Sequence, residues 1–150
     1  MMEYTIYTDG AYSQVHNEGA FAFIILDGEM NEVGRRAYKI TNETNNRAEL
    51  KAIISAIYAL PLDARGVRVI SDSMYALNTL SGKWGHNNNL DLFKAWEENV
   101  KPRNTMLKIE WCFVKGHSGD KYNELCDKMC NDVLGYNANE EYKKYVKPKK

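Results

Sequence analysis

"TNNRAELKAIISAIYALP" (Thr44–Pro61) is where the hydrophobic period of the chain changes. Leu50, Ile53, Ile54, Ile57 and Tyr58 fall at i, i+3, i+4, i+7 and i+8, which predicts an amphipathic helix over Asn45–Leu60, stopped by Pro61. Upstream the period is two. Tyr4, Ile6 and Thr8 alternate with Thr5 and Tyr7 in a first strand that the pattern ends at Asp9. "GAFAFIIL" (Gly19–Leu26) is a second strand, and a third, Glu32–Ile40, follows turn residues Asp27, Gly28 and Asn31. Downstream, strands and helices take turns. "VRVIS" (Val67–Ser71) precedes a short helix over Ser73–Leu80, a helix over Leu90–Val100, a strand "LKIEWCFV" (Leu107–Val114) and a last helix over Tyr122–Leu134. Three strands in an antiparallel meander, then β-α-β-α, give an α/β class chain: a mixed sheet with helices packed on its faces.

At 150 residues, 44% hydrophobic and 27% charged, the chain fits one ordered domain with a real core. No apolar run reaches the length of a membrane span and no leader pattern precedes the first strand, so the sequence reads as cytoplasmic, monomeric and free of membrane partners. Cys112, Cys126 and Cys130 read as buried thiols of a reducing compartment, because no second Cys/His pair stands at zinc spacing. The formal net charge is zero but unevenly spread. Residues 136–150 hold five lysines and two glutamates, net +3, which leaves residues 1–135 at −3. The chain therefore divides into a domain over 1–135 and a lysine-rich tail over 136–150.

Four acids stand out by position. Asp9 closes "YTDGA" and Asp72 closes "VISDS", at the carboxyl ends of strands where α/β sheets build their sites. Glu49 stacks with Ile53 and Ala56 at the border of a buried stripe, and Asp127 does the same with Cys130 and Leu134. A strand-end aspartate is by itself more often a cap than a ligand, and Glu49 alone reads as an ion-pair partner for Arg47 or a lysine. Together, four acids aimed at one sheet repel unless a cation sits among them. Hard oxygen donors suit Mg²⁺ or Mn²⁺ rather than zinc. Two such ions about 4 Å apart can hold the attacking and leaving oxygens of a phosphodiester displacement. His117 lies in "KGHSG", a glycine-flanked segment from which a side chain with a pKa near 6.5 can carry protons. Trp84 reads as an exposed loop aromatic that can lie against a sugar or base.

"YTDGA", "TNNRAEL", "SDSMY" and "VKGHSG…NELCD", in that order, resemble the type 1 ribonuclease H family over about residues 3 to 134. The resemblance implies a ribonuclease H-like fold, with a mixed five-stranded sheet (three antiparallel strands, then β-α-β) and helices on both faces. It implies endonucleolytic cleavage of the RNA strand of RNA–DNA hybrids. It assigns the metal-binding acids to Asp9, Glu49, Asp72 and Asp127, and the mobile catalytic histidine to His117. It assigns 2′-hydroxyl reading to Asn45 and Asn46, a DNA-phosphate pocket to Thr44 and Asn89, and a DNA contact to Trp84. Gly10 and Ser73, beside two of the acids, join the nucleic-acid-binding set, and Glu124 takes a part in product release. Met74 stands where the family commonly has a glutamine, and Asn17 is the nearest candidate contact in "SQVHNEGA". Only "GKWGHNNN" fills the place of the basic insertion that many members carry, and the lysine-rich tail is its candidate substitute. Two other classes stay open on sequence: a two-metal nuclease acting on DNA, and a hybrid-binding module without catalysis. The Asn45–Asn46 pair, suited to ribose 2′-hydroxyls, favours the RNA-directed reading.

Overall fold

The computed structural model describes residues 3–116 and 119–135. His117 and the tail over 136–150 lie outside them. Five strands, β1 (Tyr4–Ser13), β2 (Glu18–Asp27), β3 (Glu32–Thr41), β4 (Gly66–Ser71) and β5 (Lys108–Phe113), form one sheet in the order β3-β2-β1-β4-β5. β1 pairs antiparallel with β2 and β2 with β3, while β1–β4 and β4–β5 are parallel. The helices are α1 (Asn45–Tyr58), α2 (Met74–Leu80), α3 (Leu90–Ala95) and α4 (Lys121–Leu134).

The strand patterns follow from what covers each face. β1 and β2 are central, and nearly every residue of both is buried. Along β1 alternate side chains go to opposite sides. Ile6, with Val67 and Val69 of β4, joins Leu50, Ile53 and Ile57 of α1 and Leu77 of α2 in one core. Tyr7 and Ala11 join Cys126, Met129, Cys130 and Leu134 of α4 in the other. Helices therefore cover both faces. A fully buried Leu50 or Ile53 contributes roughly 1.5–3 kcal/mol. Among the described residues β3 and β5 are the outer strands and carry charge: Arg35, Arg36, Lys39, Lys108 and Glu110 are all exposed. Ion pairs Arg35–Glu32, Lys39–Glu18 and Arg68–Glu110 lie along them.

Two expectations are corrected. β1 does not end at Asp9 but runs four residues on, because Gly10 to Ser13 keep pairing with Phe21 to Glu18. What stops near Asp9 is the neighbouring strand: β1–β4 pairing ends at Tyr7–Ile70. The helix expected over Leu90–Val100 is α-helical only to Ala95, then widens into a π-helical turn over Trp96–Val100 and tightens into a 3-10 turn over Lys101–Asn104. Pro102, which lacks an amide hydrogen, sits in that tight turn.

Candidate active site

Asp9 lies in the notch left where β1 outruns β4, and it is 1% exposed. The next residue explains how a helix gets so near. A Cβ on Gly10 would stand 2.6 Å from the Ala48 carbonyl carbon and 2.8 Å from the Glu49 nitrogen, so only glycine lets β1 and α1 touch backbone to backbone. That contact brings Glu49, 4% exposed, to the strand. Upstream, Thr44 caps α1, its Oγ1 accepting from the Arg47 amide at 3.1 Å. Asp72 sits between β4 and α2, in a turn fixed at both ends. The Ser73 amide donates to Ser71 Oγ, and Ser73 Oγ accepts from the Ala76 amide as the cap of α2. Gly116 presses on it from the far side, where a Cβ would fall 2.7 Å from Asp72 Oδ2. The residue preceding His117 is thus against an acid of the cluster.

Asp9, Glu49 and Asp72 each offer a carboxylate oxygen within 4.8 Å of the other two. Asp127 stands outside that triplet, half-buried on α4, and one of its oxygens is shut away from solvent like one oxygen of each of the three. Burying a carboxylate costs several kcal/mol unless a counter-charge answers it. Close by, Arg47 pairs with Glu43 and Asp91, and Lys51 with Glu43. Of the partners weighed on sequence for Glu49, Arg47 is turned to Glu43 and Asp91 instead. The field of the acids reaches Cys130, whose thiol is pushed up by burial first, then by Cys126, Glu49 and Asp72. It stays a neutral filler, 4.0 Å from the Asp9 carbonyl oxygen. A set of converging hard oxygens in a partly closed notch fits a divalent cation.

The residues expected to contact nucleic acid are placed as follows. Asn45 and Asn46 are exposed at the start of α1, and Asn45 Oδ1 accepts from the Tyr12 amide at 2.6 Å. Asn89 takes a left-handed conformation, φ 60°, at the N-cap of α3, where its side chain makes no cap bond. Its side chain bonds Arg47 and the Tyr75 hydroxyl instead. Trp84 is 46% exposed, as its loop position suggested, with its amide bonded to the Asn78 carbonyl. Glu124 is exposed and accepts from the Gly119 amide at 3.1 Å, bracing the segment just after His117.

The sequence profile of the RNase H family matches residues 1–134. This chain belongs to the ribonuclease H family. It is 36% identical to a ribonuclease H of Caldanaerobacter subterraneus subsp. tengcongensis, covering 95% of this chain and 92% of that one. It is also 36% identical to a ribonuclease H of Caldicellulosiruptor saccharolyticus, covering 89% and 97%. Among solved structures, an N-terminal RNase H domain from Mycobacterium tuberculosis, made as a fusion with maltose binding protein, superposes with a TM-score of 0.73 at 20% identity over 94% of this chain and 99% of that one. An RNase H of Halobacterium salinarum gives 0.67 at 24%, over 88% and 97%. The ribonuclease H fold expected from the sequence is the fold observed.

Sequence reasoning missed the ion-pair cluster around Arg47. Its guanidinium forks onto Asp91 at 2.8 and 2.7 Å and bonds Glu43 at 2.7 Å. The Glu43–Arg47 spacing of four was legible, and the Asp91 partner was not. Burial alone would raise the Glu43 carboxyl, but hydrogen bonds from Lys51 and Arg47 prevail and lower it. Arg47 likewise holds the Asp91 carboxyl down at about 2. A depressed carboxylate stabilises the fold above its unfolded pKa, about 3.9, and loses that contribution as pH falls through about 2. Asp91→Asn is therefore expected to melt below wild type at pH 6, with the gap closing between pH 4 and 2. A gap in Tm that stays constant over that range would refute the assignment.

Proposed function

We propose that this chain is an endoribonuclease that hydrolyses the RNA strand of RNA–DNA hybrids, leaving 5′-phosphate and 3′-hydroxyl ends. The observation that carries the reading is the convergence of Asp9, Glu49 and Asp72 from three separated segments into one notch, in a chain of the ribonuclease H family. Asp9, Glu49, Asp72 and Asp127 hold two Mg²⁺ ions, for which Mn²⁺ can substitute. Bound there, the ions supply Lewis acidity toward the phosphodiester and its leaving oxygen.

The remaining work belongs to side chains. Asn45 and Asn46 read ribose 2′-hydroxyls in the minor groove of the hybrid. Thr44 and Asn89 take a DNA-strand phosphate, Gly10 and Ser73 line the path of the nucleic acid, and Trp84 lies against a sugar or base of the DNA strand. His117 carries the proton to or from the reacting phosphate. Glu124, which holds Gly119, assists release of the product by drawing on the metal or on His117. Residues 1–135 form the catalytic unit and the lysines of 136–150 add grip on phosphates. The protein works as a cytoplasmic monomer. Among the described residues no helix is long and apolar enough to cross a membrane.

End-labelled hybrid, duplex RNA and duplex DNA, each incubated with and without Mg²⁺, test this directly. The expected result is internal cuts in the RNA of the hybrid alone, and only with the metal. Cleavage of duplex DNA would move the chain to the DNA-nuclease class. Tight hybrid binding with no product would make it a binding module.

A further inference from the structure

We infer that the Arg47 side chain is a positioning residue for the substrate phosphate: it occupies the acceptor oxygen of Asn89, which leaves that side chain, like the capping Thr44, to present a hydrogen-bond donor. The inference rests on the hybrid-cleaving reading above. Arg47 meets these two residues with different groups. Its backbone amide donates to Thr44 Oγ1 at 3.1 Å, and its guanidinium donates to Asn89 Oδ1 at 3.4 Å. A guanidinium has donors only, so the amide atom that faces it must be the oxygen. That choice turns Asn89 Nδ2 the other way, where one hydrogen goes to the Tyr75 hydroxyl at 3.0 Å. A primary amide nitrogen has a second hydrogen, and a hydroxyl whose oxygen already accepts still has its own proton to give. Both side chains are thereby set for an anion, beside the N-terminal end of the 14-residue α1.

Arg47 itself is not the phosphate ligand. Its side chain is 21% exposed and is matched by two carboxylates, Glu43 and Asp91. Those contacts hold the guanidinium in place, and the left-handed Asn89, whose side chain makes no cap bond to α3, is free to answer it. The effect of Arg47 on the substrate thus passes through Asn89.

The experiment is a double-mutant cycle of Arg47→Lys and Asn89→Ala, read by hybrid-binding anisotropy in EDTA and by steady-state cleavage. Lysine keeps the charge but cannot serve Asp91, Glu43 and Asn89 at once. Arg47→Lys is expected to raise Kd and KM by roughly 3–10-fold, the scale of one hydrogen bond, with kcat within about twofold of wild type. In the Asn89→Ala background it should add nothing further. The slope of log Kd against log salt should match wild type, because a direct guanidinium–phosphate contact would carry about 0.9 of that slope. Additive effects, a slope flatter by about 0.9, or a fall in kcat with KM unmoved would each overturn the inference. Asn89→Asp guards against a folding defect at Arg47. It keeps the bond to the guanidinium yet puts an acceptor where the donor was, so its KM should exceed that of Asn89→Ala. A KM at or below that of Asn89→Ala also overturns the inference. Wild-type protein that binds hybrid without cutting it would remove the functional reading and leave the binding cycle to judge Arg47 alone.

Discussion

Asp9→Asn is expected to fold, to bind hybrid and to show metal-dependent cleavage no higher than background. The substitution keeps shape and removes one charge from a triplet whose oxygens lie within 4.8 Å of one another. Asparagine is a weaker, neutral ligand, and a cation that needs several hard anionic oxygens loses its place. Asp72→Asn should behave alike, since it takes a charge from the same triplet. Metal-free stability should move the opposite way. Asp9 is 1% exposed and its carboxylate stands among like charges, so neutralising it relieves repulsion. Each kcal/mol of relief raises the melting temperature by roughly 2–4 °C in a chain of this size. Added Mg²⁺ should stabilise wild type and leave the variant unmoved. Near-normal Mg²⁺-dependent cleavage by Asp9→Asn would end the metal assignment.

Gly10→Ala should be almost as damaging, through geometry instead of charge. The new methyl group would lie 2.6 Å from the Ala48 carbonyl carbon and 2.8 Å from the Ala48 oxygen and the Glu49 nitrogen. These are backbone atoms and cannot swing aside as a side chain can. α1 must therefore lift from β1, carrying Glu49 away from Asp9. Overpacking of this sort costs about 1–3 kcal/mol in stability, and displacement of a reacting constellation by about 1 Å costs on the order of 100-fold in rate. Cleavage should fall at least that far in kcat while the protein still melts cooperatively. Wild-type kcat in a folded Gly10→Ala protein would show that close contact of β1 and α1 does not set the site.

What the sequence made legible is what depends on local period and residue type. α1 was readable because five apolar residues keep helical spacing before Pro61, and it ends at Tyr58, within two residues of the expected Leu60. The break in the third helix was not readable. Phe93, Trp96 and Val100 are buried whether the turn is α or π, so the apolar pattern is the same for both. Asp9, Glu49 and Asp72 could be named because acids among apolar strand residues and on a buried stripe are costly and conspicuous, although Asp9 proved to lie within its strand and not at its end. Their meeting could not be derived, since it depends on β1 outrunning β4 and on Gly10 admitting α1. Arg47 invited a pairing with Glu49 two residues on. Its actual partner Asp91 lies 44 residues away, beyond the reach of any local pattern.

The outer strands of the sheet carry a consequence for behaviour in concentrated solution. With a formal net charge of zero, the molecule has no long-range repulsion to keep copies apart. The outer edge of a strand as long as the ten-residue β3 is a template for side-by-side addition. Extending the sheet there would crowd the cations Arg35, Arg36 and Lys39 against their counterparts. Colloidal stability in this protein is thus a property of its rims, and neutralising the β3 cations would open the sheet to polymerisation long before it unfolded the core.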